Sequence, residues 1–90
     1  MTVYIEIPSI FARYAGNRTS FETEGRTVGE CLKDLEKRHP DLVKLIMAKD
    51  GGLLNSIDFF VNGESVYPRE LSRPVKDGDK IKVIMIIQGG

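Results

Sequence analysis

Apolar and polar residues alternate near both ends of the chain, and this two-residue period predicts β-strands there. Residues 3–7 read Val-Tyr-Ile-Glu-Ile, and residues 80–87 form the most apolar strand pattern in the sequence. Residues 19–23 predict a strand of the same kind, separated from the first by turn-forming residues at 15–17. We therefore expect a β-hairpin at the start of the domain and an apolar strand near its end.

Further strands are predicted between residues 57 and 67. Residues 57–61 read Ile-Asp-Phe-Phe-Val and are followed by Asn62-Gly63, the dipeptide best suited to a tight turn with positive φ. A short strand is expected at residues 65–67. This stretch indicates a second pair of strands.

The helical period appears only in the middle of the chain. Thr27 lies three residues before Glu30, which is the spacing of a capping box at a helix start. The apolar stripe of the predicted helix consists of Val28, Cys31, Leu32 and Leu35. Pro40 disfavours helical geometry at His39, so the helix should end there, and Asp41 is a candidate cap for a second, shorter helix.

This order of elements predicts an α+β fold in which one main helix crosses a mixed sheet of four to five strands, with a second short helix. The two apolar end strands should lie side by side in the middle of the sheet. This is the β-grasp (ubiquitin-like) arrangement. We expect residues 1–87 to form the one domain and residues 88–90 to form a flexible tail.

Charge and composition exclude several classes of function. The 13 basic and 13 acidic residues are interspersed, which argues against binding to nucleic acid. With one cysteine and one histidine, neither an internal disulfide nor a cysteine-ligated cluster can form, and no metal site is predicted. Neither a membrane-spanning apolar stretch nor an export leader is recognisable, so a cytoplasmic protein with no membrane partner is expected.

Two glycines, Gly89 and Gly90, follow directly after the last apolar strand and residue Gln88. Because glycine has no side chain, such an end can enter a narrow channel and bring its carboxylate to the α-phosphate of a nucleotide. A frayed terminus is the alternative interpretation of two glycines considered alone.

Five segments match the pattern of one known family and together cover nearly the whole chain. They are Phe11-Ala12-Arg13 with Gly16, Thr27-Val28-Gly29-Glu30, Phe60-Val61-Asn62-Gly63, Val75-Lys76-Asp77-Gly78-Asp79-Lys80-Ile81, and Gly89-Gly90. From Phe11 to Gly90 the sequence resembles the ThiS/MoaD family of sulfur carriers, in the branch of the small subunit of molybdopterin synthase.

The resemblance implies a carrier rather than an enzyme. In that family an E1-like adenylyltransferase of the MoeB/ThiF type adenylates the terminal glycine, here Gly90, and sulfur then replaces the adenylate to leave a thiocarboxylate for a sulfur-accepting synthase. The chain lacks a Gly-x-x-x-x-Gly-Lys loop, so no cofactor is expected on it and ATP should bind the partner enzyme.

The pathway and the acceptor stay open. The molybdopterin type usually has prolines shortly before its glycines, where this chain has Met85 and Ile86, and residues 54–66 are equally similar to carriers of cysteine biosynthesis. Two alternatives remain. The first alternative to a sulfur carrier is a protein modifier joined through Gly90 to lysines of targets, and the second is a β-grasp interaction module with an inert tail.

Strand alternation also predicts a partner surface. If Phe59 and Val61 point into the core, then Phe60, Ile84 and Ile86 lie on the outer face of the sheet, where no second helix covers them. We predict that this exposed apolar patch and the neighbouring Gln88 contact a partner, with contact between copies of the chain as the alternative.

Three other kinds of side chain invite a chemical role. Cys31 falls on the buried stripe of the helix, which favours a core position over a persulfide role. His39 is expected to face water or to cap helix carbonyls. The carboxylates of Asp58, Asp77 and Asp79 would hold a cation only weakly, and turn chemistry explains the last two better.

Overall fold

The computed structural model of the chain describes residues 2–47, 57–67 and 70–85. The strands are β1 (Val3–Glu6), β2 (Ser20–Thr23), β3 (Ile57–Val61), β4 (Glu64–Ser65) and β5 (Lys80–Met85). The helices are a 3₁₀ helix (Ser9–Tyr14), α1 (Val28–Glu36) and α2 (Pro40–Ile46). The described residues contain no helix with the length and apolar character needed to cross a bilayer.

The strands form one mixed sheet in the order β2-β1-β5-β3-β4. β1 and β5 are parallel, with Tyr4 opposite Lys80 and Glu6 opposite Lys82, and the other neighbouring pairs are antiparallel. The two apolar end strands therefore lie side by side, as predicted, and β5 occupies the middle of the sheet. The opening hairpin, the main helix and the short second helix are also confirmed.

The core lies between one face of the sheet and the two α-helices. Alternate residues of each long strand point into it, because successive side chains of a strand lie on opposite faces. The inward strand residues are Val3, Ile5, Phe21, Ile57, Phe59, Val61, Ile81 and Val83. The helices contribute Val28, Cys31, Leu32 and Leu35 from α1, and Leu42, Val43 and Ile46 from α2.

The start of α1 is a capping box with one difference from the predicted pattern. Thr27 Oγ1 accepts a hydrogen bond from the backbone N–H of Glu30 (3.1 Å). The Glu30 carboxylate accepts from the backbone N–H of Arg26 (3.0 Å), one residue before the expected Thr27. Both bonds satisfy backbone donors that have no helical partner, so the sequence signal correctly marks the helix start.

The start of α2 corrects the prediction for Asp41. His39 is the N-cap residue, Pro40 is the first helical residue and Asp41 lies in the first turn. Proline suits this first position because its fixed φ matches the helix and its missing N–H would have no partner there. The carboxylate of Asp41 still lies near the positive end of the helix dipole.

The remaining differences concern strand limits. Asn62 (φ 52°) and Gly63 (φ 84°) form the predicted tight turn. This two-residue turn brings Glu64 directly opposite Val61, so β4 is Glu64–Ser65 and begins earlier than the predicted 65–67. The last strand is described to Met85, and residues 86 and 87 lie outside the described part. The 3₁₀ helix was not predicted.

Candidate functional site

The candidate site is the end of the sheet at which β5 finishes. Met85 is the last described residue, and it pairs with Ile57 of β3. Because β5 is hydrogen-bonded to β1 on one side and to β3 on the other, its position and direction are fixed by the centre of the sheet. The predicted site residues beyond it, Ile86, Gln88, Gly89 and Gly90, lie outside the described residues.

The outer face of the sheet carries the two predicted partner-binding residues that the structure describes. Phe60 lies between buried residues of β3 and Ile84 follows the buried Val83 of β5, so both lie on the predicted face. Phe60 is opposite Lys82, and Ile84 is opposite Asp58. Phe60 and Ile84 are therefore diagonal neighbours on adjacent strands, a spacing that large side chains can bridge. We call this pair the outer patch.

The outer patch is less exposed than expected and is interrupted by charges. Both of its side chains are half-buried, although α1 and α2 pack on the opposite face of the sheet, in the core. Lys82 Nζ lies 4.0 Å from Glu6 Oε1 beside the patch, and both of these side chains are largely exposed, so the ion pair adds little to stability. A partner at this face would therefore contact apolar and charged groups together.

Other exposed apolar side chains were missed by the sequence analysis. Ile10 and Tyr14 of the 3₁₀ helix are 63% and 42% exposed, and Tyr67 after β4 is 75% exposed. The segment around Ile10 has neither a helical nor a strand period, so the sequence provides no indication of which of its apolar residues face solvent.

Cys31 belongs to the core, as predicted. Its side chain is fully buried, and burial raises the pKa of the thiol, with the nearby carboxylates of Asp34 and Glu30 adding to the rise and a hydrogen bond with Thr23 opposing it. The backbone of Gly25 lies close against Cys31 on one side, because a Cβ at position 25 would lie 3.0 Å from Cys31 Sγ and 2.8 Å from the backbone nitrogen of Cys31. A buried thiol with a raised pKa is a poor nucleophile.

His39 differs from the expectation that it faces water or caps carbonyls. Its ring packs at a tilt against Phe21, with 5.1 Å between the ring centroids, and its side chain makes no capping hydrogen bond. His39 is therefore half-buried and joins the start of α2 to β2.

The predicted carboxylates hold turns together. Asp79 accepts hydrogen bonds from the Asn62 side-chain amide (3.0 Å) and from the backbone N–H of Lys76 (2.8 Å), and these bonds lower the pKa of its carboxyl. Asp77 accepts from the backbone N–H of Thr2 (2.7 Å). Asp58 accepts from the Ser65 hydroxyl (3.1 Å). Across residues 2–47, 57–67 and 70–85, no group of acidic, cysteine or histidine side chains is arranged to hold a metal ion.

A β-grasp sheet with a central last strand leading to Gly-Gly defines a class of small ubiquitin-like proteins. Within this class, the family model described as "ThiS family" matches residues 5–90 of the chain. The chain therefore belongs to the ThiS family, which confirms the resemblance to this family of carriers.

Curated and solved relatives agree with this assignment. The sulfur carrier protein CysO of Mycobacterium tuberculosis is 28% identical over 93 residues, covering 100% of both chains. In the crystal structure of the Amycolatopsis orientalis BexX/CysO complex, a chain 35% identical to this one matches with a TM-score of 0.86, covering 98% of this chain and 99% of that one. SAMP1 from Haloferax volcanii is 25% identical over 100% of both chains, with a TM-score of 0.83.

These comparisons confirm the β-grasp fold. They also agree with the prediction of a carrier rather than an enzyme, because the curated relatives are named as carriers.

Proposed function

We propose that this protein is a sulfur carrier of the CysO type, whose Gly90 carboxylate is activated by adenylation and then converted to a thiocarboxylate. The observation that carries the proposal is the full-length match to sulfur carriers named CysO. The fold agrees with it, because β5 leads from the centre of the sheet towards Gly89-Gly90. The proposed acceptor is a synthase of a sulfur-containing metabolite, of the cysteine-biosynthesis kind rather than the molybdopterin kind.

The proposed chemistry requires two successive nucleophilic substitution reactions. The Gly90 carboxylate attacks the α-phosphate of ATP and pyrophosphate leaves, which produces an acyl adenylate. Sulfide then adds to the carbonyl carbon and AMP leaves, so the product is a thiocarboxylate. A carboxylate is a poor acyl donor until its oxygen can leave with AMP, and ATP supplies the driving force. We propose that an E1-like enzyme binds the nucleotide and that both steps occur in the cytoplasm, where ATP is available.

The carrier chain contributes the acyl group and the means of presenting it. An enzyme that holds the Gly-Gly end in a channel must offset the entropy lost when those residues are ordered. We propose that contacts with the outer patch, together with Ile86 and Gln88, provide this free energy. The mixed apolar and charged surroundings of Phe60 and Ile84 would then determine which partner fits.

The function is tested by ATP–pyrophosphate exchange with the cognate activating enzyme. We expect exchange with the full chain and none after deletion of Gly90, because the deletion moves the carboxylate by one residue from the position that the channel fits. Substitution of Gly78 by Asn is a control, because Gly78 has open surroundings before the start of β5, at the end of the sheet remote from the tail, and Asn is a residue type able to adopt positive φ. Exchange that persists without Gly90, or that is absent with the full chain, would contradict the proposal.

A second candidate function is protein modification through Gly90. The similarity to SAMP1, the small archaeal modifier protein 1 of Haloferax volcanii, supports it. Both candidates share the adenylation step and differ in the acceptor. Cells that contain free thiocarboxylate carrier support the first function, and isopeptide adducts of Gly90 with lysines support the second.

A further inference from the structure

The 3₁₀ helix presents an apolar surface that the proposed function does not yet use. Ile10 and Tyr14 are exposed, and with Phe11 and with Leu45 of α2 they line an open groove of about 650 Å³. This groove lies on the helix side of the sheet, opposite the outer patch, because α2 packs on the core side. We call it the 3₁₀ groove.

The surface of the 3₁₀ groove is held in place by the fold. Phe11 packs against the core, and its backbone N–H donates to the carbonyl of Pro8 (3.0 Å). At the other end, the carbonyl of Ala12 accepts hydrogen bonds from the backbone N–H groups of Ala15 (2.9 Å) and Asn17 (2.8 Å), and Ala15 is fully buried. Ile10 and Tyr14 are thus exposed on a preorganised surface, which lowers the entropic cost of binding.

The 3₁₀ groove lies at the end of the molecule where the tail begins. β1 and β5 run parallel with Glu6 opposite Lys82, so the chain leaves β1 and enters the 3₁₀ helix at the end of the sheet where β5 reaches Met85. Five residues follow Met85, and five residues span at most about 18 Å even when fully extended. A protein that takes the Gly90 carboxylate into its active site must therefore approach this end closely.

The charge around the 3₁₀ groove indicates which chemical groups a partner's surface should present. Arg13 lines the groove and is exposed, and no acidic residue occurs from Ile7 to Phe21. The partner surface that complements it is an apolar segment carrying a carboxylate.

We propose that the 3₁₀ groove is a second docking surface for the enzyme that activates the tail, which contacts it through an apolar segment with an acidic side chain. The inference rests on the proposed function and extends it. The enzyme holds the base of the tail from both sides of the sheet, with the outer patch on one side and the 3₁₀ groove on the other. Contacts on two sides direct the last five residues into the channel and limit rotation of the carrier about its tail.

The test uses two substitutions in the groove of the full-length chain. Ile10→Asp places a charge on the apolar surface, and Arg13→Glu reverses the charge. Arg26→Glu is the matched control, because Arg26 is also exposed and its carbonyl accepts from the N–H of Val75, before the start of β5 at the opposite end of the sheet. We expect both groove variants to bind the activating enzyme at least tenfold more weakly in calorimetry, and the control to bind as the unsubstituted chain does.

Two further readouts separate the possible failures. Thermal melts should show all three variants folded, since the changed side chains face water, and hydrogen exchange in the complex should show protection of the amides of residues 9–17. Unchanged affinity of both groove variants, or no protection of these amides, overturns the inference while leaving the proposed function intact. Failure of the unsubstituted chain to bind and be adenylated overturns the proposed function, and the inference with it.

Discussion

A single cysteine in a protein proposed to carry sulfur suggests a role in sulfur transfer, but the surroundings of Cys31 argue for a structural one. Its thiol lies beside Thr23, whose hydroxyl donates to the carbonyl of Val3 (2.9 Å), and the backbone of Gly25 closes the approach. Sulfur chemistry needs an accessible thiolate, and burial disfavours both the access and the charge. The reactive group in our account is instead the carboxylate of Gly90.

We predict that Cys31→Ser keeps the capacity to form the thiocarboxylate and lowers the free energy of unfolding by about 1–3 kcal/mol, because the new hydroxyl must find a partner in the core. Urea denaturation measures the loss of stability, and intact-mass analysis after activation measures thiocarboxylate formation. Cys31→Ala is the matched control, since it also removes sulfur but adds no polar group. A variant that is demonstrably folded yet forms no thiocarboxylate would mean that Cys31 takes part in the transfer.

At the scale of the strand, β3 presents two adjacent phenylalanines to different environments. Phe59 is fully buried, whereas Phe60 lies half-buried on the outer face. Burial of a large apolar side chain contributes about 1.5–3 kcal/mol, and Phe60 and Ile84 can gain part of this amount from a partner.

We predict that Phe60→Asp and Ile84→Asp weaken binding to the activating enzyme about tenfold in calorimetry, which corresponds to about 1.4 kcal/mol. Both variants should stay folded in thermal melts. Phe59→Asp is the matched control and should unfold the domain, because it places an unpaired charge in the core.

If Phe60→Asp or Ile84→Asp unfolds the domain, the outer face is structurally required rather than free to bind. If both variants fold and bind with unchanged affinity, the outer patch is not a docking surface.

The elements with a clear period were predictable from the sequence, and those set by tertiary contacts were not. Alternation identified β1, β3 and β5, and the pair Thr27 and Glu30 marked the start of α1. The 3₁₀ helix has no such period. Its formation depends instead on tertiary contacts, in which Phe11 packs on the core and its neighbours pack on α2. Asp41 was predicted as a cap from residue type alone, whereas the position of Pro40 sets the helix start.

At the scale of the whole molecule, the candidate site was predictable only in part. The Gly-Gly end and the sequence resemblance pointed to Gly90, and strand alternation placed Phe60 and Ile84 on the outer face. The exposed fractions of Ile10 and Tyr14 depend on how the 3₁₀ helix rests against α2, which no local pattern encodes. The same holds for the alignment of this helix with the end of β5, because it follows from the parallel pairing of β1 with β5, in which Tyr4 lies opposite Lys80, 76 residues further along the chain.

The central claim is that the terminal carboxylate of Gly90 becomes a thiocarboxylate, and intact-mass spectrometry tests it most directly. The chain is incubated with the cognate activating enzyme, ATP and a sulfide donor, in parallel with a chain that lacks Gly90. Our account predicts a rise of about 16 Da in the full chain, the difference between sulfur and oxygen, and no rise in the truncated chain. An unchanged mass of the full chain, although the activating enzyme and the sulfide donor are shown to be active, would contradict it.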